Sequence, residues 1–314
     1  MKVLKLKSFK LSALILVIVI IAGGCKKKGP FDYFEETTPI EKEPQVPEDD
    51  TKKTKDPGTN IGDLGQVVFT YNGETVVYKT VRLGDGSIWL QQNMGSKAVA
   101  TAFDDFMAYG DLFQSGRWDD GHQVVVRTSN TGTTFPVGSS AGTNTVLTPN
   151  DPTGLGQGIP LFYHNNAPRW WATTAPVTID ASKSTDVTAI KGCDPCKAIG
   201  EGWRLPTQTE FVAIRVNENG ILGEVGISAA SPMTNSTAFV SILKLTAAGG
   251  RNASGATGPL VAVGSQGLYW SSTATTTDNG AAGATFSLGT TTTGSTVAGG
   301  YRAWGRSIRC LKKL

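Results

Sequence analysis

Gly202-Trp203-Arg204-Leu205-Pro206-Thr207-Gln208-Thr209-Glu210-Phe211 is the stretch on which the fold of this chain turns. Thr207 is a good helix N-cap, because its hydroxyl can accept from the open amide three residues on. Glu210 occupies that third position and reaches back to the amide of Thr207, which makes a capping box. Pro206 sits just ahead of the cap, where its missing N–H costs nothing, and it drives Leu205 into extended backbone. Trp203 and Leu205 then alternate as one face of a short strand. Phe211, Ile214 and the pair Val212/Val216 recur at helical spacing, and Asn219-Gly220 is the expected stop. The stretch therefore predicts a strand, a corner and a capped helix, with Trp203 and Phe211 packed in a core.

On the N-terminal side, Gln66 to Tyr71 reads as a strand and Asn72-Gly73 as a hairpin turn. Thr75 to Leu83 returns as its partner, and Ser87 to Leu90 follows as a third strand after Gly84-Asp85-Gly86. On the C-terminal side, Thr237 to Ala247 is compatible with either a helix or a strand. Gly267 to Ser272 reads as a strand, the Thr/Gly-rich run to Gly300 as strands joined by loose turns, and Arg306 to Leu311 as the last strand. Residues 123 to about 190 show no sustained period. A stretch that long in a compact domain is either functional or partly structured.

The first 25 residues form a targeting segment: Lys2, Lys5, Lys7 and Lys10, then the apolar run Leu11 to Ala22, then Gly23-Gly24-Cys25. Small residues directly before Cys25 resemble a bacterial lipobox, with Ala22 where Leu is usual, so Cys25 is the expected lipidation site and the membrane the expected partner. Residues 26–62 are rich in Lys, Pro, Glu, Asp and Thr and nearly free of aliphatic side chains, so a disordered tether is expected there, ahead of a folded domain over 63–314. Of the 314 residues, 39% are hydrophobic and 18% charged, and the formal net charge is only +3. Basic residues do not cluster in the body of the chain, which excludes an electrostatic nucleic-acid surface.

Candidate chemistry is sparse. Arg117-Trp118-Asp119-Asp120-Gly121-His122 is a compact polar cluster near aromatics: its carboxylates suit calcium, and a carboxylate beside His122 suits acid–base work. The plain alternative is a surface turn held by Asp side chains. Tyr163, His164, Trp170 and Trp171 would line a groove for a sugar face or a partner, or else pack beneath the long loop. Gly138-Ser139-Ser140-Ala141-Gly142 has the Gly-x-Ser-x-Gly spacing of serine hydrolases, but it lacks the strand before and helix after that expose such a serine. Cys193-Asp194-Pro195-Cys196 is a C-x-x-C without a βαβ setting, and two histidines in the whole chain are a thin supply for zinc. In an oxidising compartment the structural reading is a disulfide tying the segment before Trp203 to the last strand.

Five pieces, taken in order, resemble one family. Trp89-Leu90-Gln91-Gln92-Asn93-Met94, Tyr109-Gly110-Asp111-Leu112-Phe113-Gln114, the Gly202 to Thr207 run with Glu210, Tyr269-Trp270-Ser271-Ser272-Thr273 and Ser307-Ile308-Arg309-Cys310 have the order and spacing of the Fibrobacter succinogenes major paralogous domain (FISUMP). That family is similar to the C-terminal domain of the Legionella collagen-like adhesin, and the resemblance covers roughly residues 66 to 314. It implies an α+β, C-type-lectin-like fold built on an antiparallel β meander with a few short helices and long loops. It also implies an envelope or cell-surface lipoprotein, at the outer membrane, and a Cys196–Cys310 disulfide, with Cys193–Cys196 as the rival pairing. The calcium and sugar triplets of lectins with this fold (Glu-Pro-Asn or Gln-Pro-Asp, then Trp-Asn-Asp) are not in the sequence, so calcium is without a motif and no cofactor is expected. The expected function is a non-enzymatic adhesion or binding module for a glycan or protein ligand. The alternatives are an enzyme similar to formylglycine-generating proteins, which would need a free Cys193 or Cys310, and a structural envelope or fimbria-associated component.

Overall fold

The computed structural model describes residues 50–129, 133–135, 139–141, 161–164, 170, 177–182, 186–188, 190–253, 258–274, 280–287 and 295–313. The targeting segment, Cys25, most of the tether and Trp171 lie outside the described residues, as do Gly138 and Gly142 of the Gly-x-Ser-x-Gly run.

Strands β1 (Leu64–Tyr71) and β2 (Glu74–Arg82) form the expected hairpin, paired from Leu64↔Val81 to Tyr71↔Glu74. Asn72 and Gly73 both take positive φ, 49° and 80°, as a two-residue turn matched to strand twist requires. β3 (Ile88–Leu90) follows, and the five-stranded antiparallel sheet is completed by the C-terminal strand Leu311–Lys312 and by Trp203–Arg204 at the far edge. The chain's last strand is thus sandwiched between its third strand and the corner. A second sheet joins Leu260–Val261, Gly250–Arg251, Gly305–Arg306 and β4 (Phe113–Gln114). A third is the antiparallel set Gln266–Ala274, Gly280–Ser287 and Ser295–Tyr301, which fulfils the reading of the Thr/Gly run as strands.

The corner forms as the sequence dictates. Helix α1 (Gln208–Arg215) starts at Thr207, whose hydroxyl accepts from the Glu210 amide while Glu210 Oε2 accepts from the Thr207 amide at 2.8 Å. Glu210 also takes Arg204 in a two-pronged pair, 2.6 and 2.8 Å, so the cap carboxylate locks the strand before the corner to the helix after it. Burial alone would raise the Glu210 carboxyl, but Arg204 and the Thr207 amide hold it below its usual value. α1 buries Phe211 and Ile214 and leaves Val212 at the surface. It ends at Arg215, ahead of the expected Asn219-Gly220 stop, because Asn217 already enters the left-handed region at φ 49°. Residues 237–247, ambiguous in sequence, open as the end of α2 (Asn235–Val240), itself started by a Thr234/Thr237 capping box, and continue without regular structure to Ala247.

Two apolar clusters fill the body. One gathers Trp89, Phe211, Tyr269 and Leu311 beneath the corner, with Trp89 and Phe211 edge-to-face at 6.0 Å. The other contains Tyr71, Phe113, Trp170, Trp203 and Trp270 together with the bridge Cys196–Cys310, whose partners stand 114 residues apart. The disulfide is therefore Cys196–Cys310, and Cys193 stays outside it as a buried thiol.

Three expectations are corrected. Backbone pairing already occurs ahead of residue 63, within the segment expected to be tether. Residues 51–55 lie along the edge of β1: Lys55 pairs with Gln66 in both directions at 2.8 Å, Thr54 Oγ1 accepts from the Val68 amide, and Gln66 Nε2 donates to the Thr51 and Lys53 carbonyls. Composition hid this, because backbone groups on a sheet edge recruit a polar segment as readily as an apolar one. The sheet content is also not purely antiparallel, since Ser139–Ala141 runs parallel to Phe162–His164, and Thr178–Ala181 parallel to Lys191–Cys193. Finally, Arg306 to Leu311 is not one strand: Gly305–Arg306 joins the second sheet and Leu311–Lys312 the first. Arg309, between them, is fully buried and donates to Asn93 Oδ1 and to the carbonyls of Leu90 and Leu243.

Candidate functional site

The Arg117–His122 cluster is a half-buried turn closed by Asp120, whose Oδ1 accepts from the His122 amide at 3.0 Å, with Arg117 and His122 themselves buried; it is not an open ligand set. Arg117 donates to Gln114 Oε1 and the Leu161 carbonyl, both at 2.7 Å, and pairs with Asp120 Oδ2 at 2.6 Å. Asp120 Oδ1 faces His122 Nδ1 at 2.5 Å, and His122 Nε2 accepts from the Gln114 amide at 2.9 Å. A backbone donor at Nε2 fixes the proton on Nδ1, so both ring nitrogens are engaged and neither is open to a metal or a substrate proton. Burial, with Arg117 beside it, pushes His122 down to about 4. Burial would raise Asp120, but the charge of Arg117 and the hydrogen bonds from His122 hold it well below the usual carboxylate range. Asp119 accepts from the Asn72 amide at the hairpin tip. Trp118 is half-buried.

Of the two readings of the aromatic residues, groove or packing, the described members take the second. Tyr163, His164 and Trp170 are all buried; Trp170 Nε1 donates to the Ser115 carbonyl at 2.7 Å, and the Arg117 guanidinium stacks on the Trp170 and Tyr163 rings at 5.0 and 5.5 Å. The two sequence clusters, read separately as candidate surfaces, thus come together as one buried clasp that pins the long loop onto β4. Among the described residues no group of three or more His, Cys, Asp or Glu side chains is placed to hold a metal. The thiol of Cys193 is pushed up to about 12 by burial, which leaves it protonated and unreactive at neutral pH.

The open concavity lies elsewhere. A cleft of about 510 Å³ is walled by the tip of the β1–β2 hairpin, by the loop that leaves β3 through Gly95, Ser96 and Lys97, by Phe106 and Met107, and by Val124 to Arg127. Asp111 is at its floor. Its Oδ2 accepts from the Tyr71 hydroxyl at 2.7 Å and its Oδ1 from the Val125 amide at 3.1 Å, so one carboxylate ties the hairpin to two loops. Gly95, at φ 81°, passes so close that a Cβ there would collide with the Asp111 carboxylate, and its amide donates to the Tyr78 hydroxyl at 2.9 Å. The Asp111 carboxyl is pushed up to about 6 by burial, against the opposing pull of its donors and of Arg127. Tyr71 is raised well above the ordinary phenol value by burial and by Asp111.

Comparison with protein families, with curated proteins and with solved structures finds no match to this chain. The site is therefore defined by its own geometry. Sequence reasoning missed it. Asp111 lies within the Tyr109 to Gln114 piece, but its hydroxyl partner is 40 residues upstream and its amide partner 14 downstream. The available signal was an acidic residue set between Gly110 and Leu112 in an otherwise apolar run.

Proposed function

We propose that this chain is a lipid-anchored, non-enzymatic binding or adhesion module of a bacterial cell envelope, carried at the outer membrane or cell surface through Cys25. On this reading its fold is the C-type-lectin-like fold of the FISUMP family, and the ligand is a glycan or a protein. The cleft at the hairpin tip carries the proposal. Its volume of about 510 Å³ lies in the range of ligand sites, and its lining mixes apolar side chains such as Phe106 and Met107 with polar and charged ones, among them Glu74, Gln92, Lys97, Asp111 and Arg127. Loops held on a rigid sheet are where such folds place recognition. The cleft lies at the opposite end of β1 from the Lys55–Gln66 pairing. The Cys196–Cys310 bridge agrees with the binding reading, while the thiol of Cys193, which the formylglycine-type alternative would use, is buried.

A glycan and matrix-protein array probed with the chain from Asp49 onward, with and without calcium, tests the proposal. Retention of one ligand class, lost on Met107→Glu at the cleft mouth, is the expected result. Ligand retention untouched by substitutions around the cleft would overturn it.

A further inference from the structure

Asp111 combines features seldom found together: a buried carboxylate, an open cleft in front of it, and no cation within ion-pair reach among the described residues. Its two protein donors, the Tyr71 hydroxyl and the Val125 amide, are neutral. Arg127 lines the same cleft and is only partly satisfied, its Nε and Nη1 being buried without a hydrogen-bond partner among the described residues. Its guanidinium lies over the Tyr109 ring at 4.7 Å and donates to the Ala248 carbonyl at 3.0 Å, and it acts on Asp111 only through space. At the rim, Lys97 and Glu74 carry opposite charges and add no net bias. The walls beside the carboxylate are Val76, Val77, Phe106 and Met107, with the rings of Tyr71 and Tyr78 next to it. A fixed anion at the bottom of apolar and aromatic walls matches an aliphatic stem with a positive end: the methylenes lie along the walls, and the charge meets carboxylate and ring faces.

We infer that the cleft receives a basic side chain, lysine or arginine, presented by a protein partner, with its charged end at Asp111. This rests on the reading of the cleft as the binding site and narrows its ligand from glycan or protein to protein. Two observations favour a polypeptide over a free polyamine. The cleft is larger than one side chain, and its mouth carries Met107 and Val126, 41% and 44% exposed, as apolar surface for the neighbouring residues of a partner to cover.

The test is an NMR titration of the purified protein with three probes: a blocked Leu-Lys-Leu peptide, its norleucine counterpart, and 1,5-diaminopentane. The lysine peptide is expected to shift the signals of Tyr71, Tyr78 and Met107 and to bind at least about ten-fold more tightly than the norleucine peptide, as a charge-assisted hydrogen bond requires. Asp111→Asn keeps the shape and the bond accepted from the Val125 amide, with its Nδ2 placed to donate to the Tyr71 hydroxyl, and should erase that preference. Lowering the pH to about 5 should weaken the lysine peptide and leave the norleucine peptide unchanged. The groups facing Asp111 are Tyr71, Tyr78, Gln123, the Val125 amide and Arg127, and none of them titrates in that interval, since both tyrosines are raised by burial and Arg127 is lowered only to about 10. Equal binding of the two peptides to the unaltered protein, or no shift up to about 10 mM, would overturn the inference without relying on any variant. Tighter binding of 1,5-diaminopentane than of the lysine peptide would overturn the choice of a protein partner. A glycan that maps to the cleft while the lysine peptide does not would defeat the inference and leave the cleft standing as the binding site.

Discussion

Removing the Cys196–Cys310 bridge is the perturbation whose size follows most directly from the structure. The bridge closes a loop of 114 residues between the segment before the corner and the strand that enters the centre of the first sheet. On the chain-entropy account a loop of that length is worth roughly 4–5 kcal/mol, through the freedom denied to the unfolded chain. Against a total of about 5–15 kcal/mol for a domain, that is a large share. Each kcal/mol moves the melting temperature of a domain near this size by about 2–4 °C, so the loss corresponds to about 10–20 °C. The assay is calorimetry on the chain from Asp49 to Leu314, comparing the oxidised protein with Cys196→Ala/Cys310→Ala. Beyond Asp49 the chain has three cysteines, at 193, 196 and 310; two are in the bridge, leaving one. Thiol titration of the oxidised protein should therefore find no reactive group while folded and one after unfolding, and unreduced peptide mapping should link the Cys196 and Cys310 peptides. A melting temperature lowered by less than about 3 °C would show that the unfolded state does not gain the freedom assumed. A Cys193–Cys196 linked peptide would remove the bridge itself.

Three further outcomes are expected. Thr207→Ala should cost about 1 kcal/mol in urea unfolding, because one amide at the start of α1 loses its acceptor while the Arg204–Glu210 pair remains. Asp194 is buried and pushed up to about 7 from 3.8 by burial, against the pull of the Leu205 and Cys196 amides it accepts from. The folded state thus holds a proton that the unfolded state releases; this contribution to stability is complete below about pH 4 and is lost as the pH rises through about 7. His122, lowered to about 4, contributes the opposite slope below about pH 6.5. The difference in urea midpoint between the unaltered protein and Asp194→Asn, followed across this range, isolates the Asp194 part, and a difference independent of pH would refute it. Arg309→Met should cost about 3–5 kcal/mol in the same assay, since it strands the Asn93 oxygen and the buried carbonyls of Leu90 and Leu243. A loss below about 1 kcal/mol would mean that the core closes around methionine and re-pairs those groups.

What could be read from the chain alone was whatever depends on neighbours a few residues apart. The Thr207–Glu210 box, the Asn72-Gly73 turn and the pairing of β1 with β2 are all set within a turn or a hairpin, and all appear where expected. The bridge was legible only through resemblance, because spacing offers no ground for choosing Cys196 over Cys193. The candidate sites failed for the converse reason. Asp119-Asp120-Gly121-His122 does fold as a turn closed by Asp120, but Arg117, Gln114 and the Leu161 carbonyl tie it to the interior, and those contacts are set by the tertiary fold. Trp170 and Tyr163 looked like partners for sugar faces and are in fact partners for a buried guanidinium. Asp111 escaped notice because its meaning comes from Tyr71 across the sheet.

The pairing of Lys55 with Gln66 along β1 has a mechanical consequence. The chain ahead of β1 joins the sheet at Lys55, near the base of the first hairpin, whereas the cleft is at that hairpin's tip. A pull between the two ends therefore runs lengthwise down β1, loading the whole ladder of rungs from Leu64 to Tyr71 at once instead of peeling them one by one. An attachment made at the tip would hold under drag far better than the same contacts placed at the side.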